Sequence, residues 1–299
     1  MSDIISHYTE TPEDDRLRSG WGVLELARTQ ELLRRYLPPP PRTILDIGGG
    51  SGIYSAWLGS LGYRTHLIDI VPRHIESARH IGEIASAEIG DARGLSRADR
   101  SADAVLLLGP LYHLTERSDR VRALKEARRV LRPGGPLFAA AISRFGSLFD
   151  GLTRGFIDDP AFAPILRRDL RQGQHRNPTE RPEYFTRAFF HRPEQLRAEF
   201  AEAGFSWVEL FAVEGPGYLA RDFEARWADL PRRKMLLDLV RQVEGEEILL
   251  GVSPHWLAVG RFFPAREVAT PSSAAEKATA SHANQGPKRA KGVRPLRKA

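Results

Sequence analysis

Thr43-Ile44-Leu45-Asp46-Ile47-Gly48-Gly49-Gly50-Ser51-Gly52 is the stretch on which the reading of this chain turns. A short apolar run, preceded by the prolines at 38–41 and followed by glycines, predicts a buried strand that breaks into a tight loop. Glycines let the backbone turn sharply and approach a ligand with no β-carbon in the way. The helix predicted just beyond them offers free amide groups. Two nucleotide-phosphate loops are excluded on residues. The dinucleotide fingerprint needs glycine at 53, where Ile53 stands, and a Walker loop needs Gly-Lys-Ser/Thr where Gly52-Ile53-Tyr54 stands.

Outward from this loop, further strands are predicted at 65–69, 83–89, 103–108, 136–142, 206–213 and 255–262. Helical spacing appears at 16–36, after the loop through Tyr54, Trp57 and Leu61, from Pro72, at 116–131, from Pro193 and through 219–244. Alternating apolar strands and helices specify an α/β domain, a seven-stranded and mostly parallel sheet with helices on both faces. Ligands of such sheets bind beyond the carboxyl ends of the strands. That directs attention to Asp46 through Gly52, to Asp69, to Asp91 and to residues 109–113.

The alternation stops between 143 and 190. Those residues hold Phe145, Phe149, Phe156, Phe162, Tyr184, Phe185, Phe189 and Phe190. So many aromatics are foreign to disorder, and a helical cap over the strand ends is predicted. The organisation expected is an N-terminal helical segment at 1–41, which similar proteins named below fold over the site, a domain at 42–263 with the cap insertion at 143–190, and a tail at 264–299. Of the 44 Lys and Arg residues eight lie in that tail, as do two of the 38 Asp and Glu, so the whole net charge of +6 resides there. The tail has no aromatic residue and no apolar period, and is expected to be disordered. It either adds salt-sensitive attraction to RNA or an anionic membrane or is a solvated extension. No cysteine is present, which excludes disulfides, cysteine-ligated metals and a thiolate nucleophile. No apolar run approaches the ~20 residues of a membrane span. Met1-Ser2-Asp3 does not open a secretory leader, and a cytoplasmic location is expected.

Several motifs occur in one register: Ile44 through Gly52, His66-Leu67-Ile68-Asp69, Gly90-Asp91-Ala92, Asp103 through Leu108, and Arg129-Val130-Leu131-Arg132-Pro133-Gly134-Gly135. Residues 42–142 thereby resemble, end to end, the cofactor half of class I S-adenosylmethionine-dependent methyltransferases. The resemblance implies a Rossmann-like fold and S-adenosyl-L-methionine as cofactor. It implies binding by Asp46, Gly48, Gly50, Gly52, Asp69, Ile70, Asp91, Ala92 and Leu108. The chemistry agrees. An ionised carboxylate can accept from both hydroxyls of a ribose, the role expected of Asp69, and from an adenine amine, the role expected of Asp91. Asp46 supplies favourable potential for a sulfonium. An Asp at a strand end can also simply cap the next helix.

Family resemblance places the methyl acceptor beside Leu108-Gly109-Pro110-Leu111-Tyr112-His113. The segment lacks the Asn/Asp-Pro-Pro pattern of adenine-amino methylases, and cytosine C5 methylation requires the cysteine that is missing. His113 is the expected base and Tyr112 shapes the pocket, although His113 could equally be a polar helix residue. Tyr8 and Arg28 in the N-terminal segment, with Phe156 and Tyr184 in the cap, are the expected substrate contacts. His191 is expected at a helix entrance, and His255, opening a strand, either faces the cleft or is satisfied in the core. No metal site is expected. The function expected is O- or N-methylation of a small molecule by in-line displacement. Docking on RNA or protein through the tail and a noncatalytic cofactor-binding module are the alternatives. Oligomeric state is left open.

Overall fold

The computed structural model of the chain describes residues 16–179 and 181–263; Tyr8 and the tail at 264–299 lie outside them. The first half runs α1 (Gly22–Tyr36), β1 (Thr43–Ile47), α2 (Ile53–Ser60), β2 (Arg64–Asp69), α3 (Pro72–Arg79), β3 (Ile84–Ile89), β4 (Ala104–Leu107), α4 (Pro110–His113), α5 (Arg117–Val130) and β5 (Leu137–Ser143). Then come α6 (Gly146–Arg154), α7 (Phe162–Gln172), β6 (Gln174–His175), β7 (Ala188–His191), α8 (Pro193–Glu202), β8 (Trp207–Ala212), α9 (Phe223–Ala228), α10 (Leu230–Val243), α11 (Glu247–Leu250) and β9 (His255–Arg261). No helix among the described residues is long and apolar enough to cross a membrane.

Strands β3, β2, β1, β4 and β5 pair in that order, all parallel. β9 joins β5 antiparallel and β8 joins β9 antiparallel. Side chains of a strand alternate between faces. Leu45, Ile47, Val105 and Leu107 therefore enter one core with Leu124 and Ala127 of α5, while Ile44, Ala104 and Leu106 enter the other with Leu33 of α1 and Leu58 of α2. Helices on both faces follow from that double burial. The antiparallel entry of β9 has a further effect: its first residue, His255, pairs with Ile142 near the end of β5. The start of β9 thus lies at the carboxyl edge, where the parallel strands end.

Residues 143–190 differ from the purely helical cap expected of them. Besides α6 and α7 they contain the short strands β6 and β7. β7 extends the sheet parallel to the last two residues of β5, and β6 pairs antiparallel with β7. Three aromatics of the insertion serve its own interior. The rings of Phe156, Phe162 and Tyr184 meet at 5.0–5.5 Å between centroids, Ile165 completes the cluster, and the Tyr184 hydroxyl donates to Asp159 at 2.5 Å. Phe156 and Tyr184 are therefore not on the cleft. The reason is packing: an insertion of this size must bury apolar area of its own before it can present any.

Arg28 also departs from its expected place. It is fully buried, donates through Nε to the Val213 carbonyl at 3.3 Å and pairs with Glu31 and Glu244. Arg35 pairs with the same Glu244. The group fastens α1 to the end of α10 and to the residue after β8. Removing one partner of a buried pair strands the other charge. Arg28→Ala is expected to lower stability by roughly 3 kcal/mol, because Glu244 then keeps only Arg35; urea unfolding beside wild type measures it.

Candidate active site

Past β1 the chain reverses through the glycine loop. Gly48 has φ +71° and its amide donates to the Ile68 carbonyl at 2.7 Å. A β-carbon there would fall 2.6 Å from the Pro110 ring, so the loop is pressed against the start of α4. A β-carbon at Gly49 would lie 2.7 Å from the Asp46 carboxylate. Only bare backbone fits between Asp46 and the cleft. Gly52 sits behind the loop against Ile84 and Leu67 rather than on the cleft wall.

Asp46 is fully buried at the penultimate position of β1. Its Oδ2 accepts from the Ser55 hydroxyl of α2 at 2.7 Å, and Oδ1 has no hydrogen-bond partner among the described residues. Burial pushes its carboxyl up to about 6; the Ser55 hydroxyl opposes the shift and the Asp69 charge adds to it. Asp69, closing β2, accepts from the Gly50 amide at 2.9 Å through Oδ2 and from the Val71 amide at 2.8 Å through Oδ1. His74 Nδ1 is 3.3 Å from Oδ1. The carboxylate therefore does cap the turn into α3, and it also pins the glycine loop to β2. Asp91 accepts from the Arg93 amide at 2.9 Å and from its guanidinium at 2.6 Å. Those hydrogen bonds hold its carboxyl below the ordinary range, and Arg93 extends to Asp119 at 2.8 Å.

These groups line one cleft of about 320 Å³ together with Ile70, Ala92 and Leu108. Tyr112 and His113 from α4 line it too. Their rings are 4.7 Å apart, and His113 Nδ1 lies 3.4 Å from the Arg187 carbonyl. Among the described residues of 143–190, only Arg187 reaches the wall. Further parts of the wall were not among the expected site residues: Arg16, Glu25 and Thr29 from the N-terminal segment, Tyr54 from α2, Val213 after β8 and Leu257 from β9; His255, for which the cleft and the core were both open, is on the cleft. His255 and two carboxylates, Glu25 and Glu214, have ligand atoms within 4.8 Å of one another. Arg16 occupies both oxygens of Glu25, and Ser253 with the His255 amide occupies Oε2 of Glu214. The carboxylates are thus committed to holding protein groups. What decides the place of His255 is that its strand pairs antiparallel, which brings a first residue to the ligand edge.

Residues 45–139 match the family model of the methyltransferase domain. Over these residues the chain is similar to class I S-adenosylmethionine-dependent methyltransferases. The cofactor of such a methyltransferase is S-adenosylmethionine. Among curated proteins, the chain is 36% identical over 116 residues to a ubiquinone biosynthesis O-methyltransferase of Methylocella silvestris, covering 37% of this chain and 44% of that protein. It is 37% identical over 117 residues to a malonyl-[acyl-carrier protein] O-methyltransferase of Methylococcus capsulatus, covering 38% and 40%. The matches span less than half the length of these relatives. Among solved structures, a methyltransferase from Mesorhizobium loti superposes with a TM-score of 0.52 at 17% identity, covering 80% of this chain and 99% of that one; the shared property is the fold.

The raised pKa of Asp46 has a consequence for stability. Its folded-state value exceeds the ordinary one, so the folded protein holds that proton more tightly. The associated stability is full below about pH 4 and is lost as pH rises to about 6, a loss on the order of 3 kcal/mol. Asp46→Asn without ligand is expected to exceed wild type in stability at pH 8 and to lose that advantage by pH 4, as read from urea unfolding at both pH values.

Proposed function

We propose that the chain transfers a methyl group to a small-molecule acceptor by in-line displacement. The observation that carries this reading is the single cleft joining the glycine loop and the strand-end acids to a second wall built from α1, α4 and β9. Its volume, about 320 Å³, suits small ligands. The O-methyltransferase names of the two relatives support transfer to oxygen within the same reading.

The residues present fit the cofactor. Asp46 Oδ1, buried without a partner, favours a cation beyond the bare backbone of Gly49. Asp69 Oδ2 spends one lone pair on the Gly50 amide and keeps another for a ribose hydroxyl, while Oδ1 is engaged by the Val71 amide and His74. Asp91, oriented by Arg93, faces the same cleft for the adenine amine, with Ile70, Ala92 and Leu108 as apolar walls. Bound there, S-adenosylmethionine supplies an electrophilic methyl group on a sulfonium whose leaving group is a neutral thioether. The protein's task is alignment: Tyr112 and His113 bound the acceptor from α4, Arg187 closes the side, and the α1 segment excludes water. Holding the reacting atoms ~3 Å apart supplies much of the rate enhancement.

Calorimetric titration of the full chain with S-adenosylhomocysteine is expected to show micromolar affinity, about −8 kcal/mol. Absence of binding overturns the reading. Asp69→Ala is expected to weaken that binding by roughly 2–4 kcal/mol. It should also lower the melting temperature, since the Gly50 and Val71 amides lose their acceptor; a variant with unchanged affinity leaves Asp69 as a cap only.

A further inference from the structure

His255 is held from one side only. Its Nδ1 lies 2.6 Å from Glu214 Oε1, and Glu25 Oε2 stands 3.7 Å from the same nitrogen. Glu214 is itself buried and fixed: its Oε2 accepts from the Ser253 hydroxyl at 2.9 Å and from the His255 amide at 3.1 Å. The ring cannot turn without losing the Glu214 contact. Nε2 has no hydrogen-bond partner among the described residues, and the side chain, a quarter exposed, lines the cleft with Gly48, Leu108 and Tyr54. A carboxylate on one ring nitrogen fixes the tautomer and leaves the other nitrogen as a proton acceptor.

We propose that His255 is the catalytic base of this methyltransferase, that Glu214 is its positioning residue, and that the acceptor is a hydroxyl of phenolic or enolic acidity. This rests on the methyl-transfer reading above. In the step, an oxygen lone pair forms the new O–C bond to the methyl carbon, and the C–S bonding pair stays on sulfur. The O–H bonding pair stays on oxygen and the proton passes to Nε2. The products are a methyl ether, a neutral thioether and an imidazolium flanked by two carboxylates.

The choice of acceptor follows from the charges around the ring. Facing it are Glu25 and Arg16 from the N-terminal segment and Glu214 from the turn after β8; the Tyr54 hydroxyl of α2 interacts with the same Glu25 and Arg16. Burial alone would strip the proton from His255, but the Glu25 and Glu214 carboxylates outweigh it and raise the group to about 9, with Arg16 opposing. Burial would likewise raise Glu25, which Arg16 and His255 hold near 2 instead. A base of that strength matches a phenolic hydroxyl of pKa ~10. An aliphatic alcohol is several units too weak an acid. A carboxylate acceptor has no proton to give, and a protonated amine would meet the imidazolium. The free base is a minority form at neutral pH, so kcat/KM rises about tenfold per pH unit and levels near pH 9.

The test uses the full chain with S-adenosylmethionine and three sets of probes on one ring framework: substituted phenols, benzoates and anilines. Phenols are expected to be methylated with the stated pH profile. His255→Asn and His255→Gln are expected to lower kcat on phenols by ~100-fold or more and to abolish the pH slope, while S-adenosylhomocysteine affinity changes less than twofold and the melting curve shows a folded protein. In wild type the imidazole, followed by NMR, should titrate near 9, and Glu214→Gln should move both that titration and the pH profile downward together. Turnover of benzoates or anilines instead of phenols, no phenol turnover by a protein that binds cofactor, or an unchanged pH profile in both His255 variants overturns the proposal alone. Failure of wild type to bind S-adenosylhomocysteine overturns the underlying reading, and the proposal with it.

Discussion

Asp69 accepts one hydrogen bond from the loop that follows β1 and another from the turn that follows β2. Through that carboxylate, two neighbouring parallel strands end in a single rigid edge. The glycine loop is held down on Asp69, and Gly48 is pressed against Pro110 at the head of α4. The position of Tyr112 and His113 therefore depends on the same edge. A loop tied less firmly would retain its glycines and lose its register with the acids around it.

The cleft keeps charge where water is scarce, and the fold is built to bear the cost. Asp46 holds an unpartnered oxygen in the interior, an arrangement that disfavours the unliganded protein and favours a cation. On the opposite wall, Glu25, His255 and Glu214 form a compact set beside Arg16. That set exists only because α1 is fixed in place. Arg28, buried against Glu244 and Glu31, is one turn from Glu25 and adjacent to Thr29, so the clamp that removes Arg28 from the cleft delivers its neighbours to it. Buried ion pairs add little net stability by themselves; here they set the orientation of a helix.

Much of this architecture was legible in the residues. The apolar runs at β1 and β4, the glycines after Asp46 and the acids at two strand ends are local features, and periodicity reports them directly. The seven main strands and the cleft position of Asp46, Gly48, Gly50, Asp69 and Asp91 follow from them. The insertion was less transparent. Its aromatics announce burial but not against what, and Phe156 and Tyr184 proved to bury each other. Two residues of β6 and four of β7 are too short to leave a pattern.

What the sequence determined alone is the order of strands and helices and the loop chemistry at their junctions, since each is encoded within a few consecutive residues. What only the tertiary structure decided is the wall opposite that loop. Glu25, Glu214 and His255 are separated by up to 230 positions in the chain, and no short-range pattern connects them. They meet because β9 runs antiparallel to β5, which places a first residue at the edge where the other strands end, and because a buried arginine sets the helix that crosses above it.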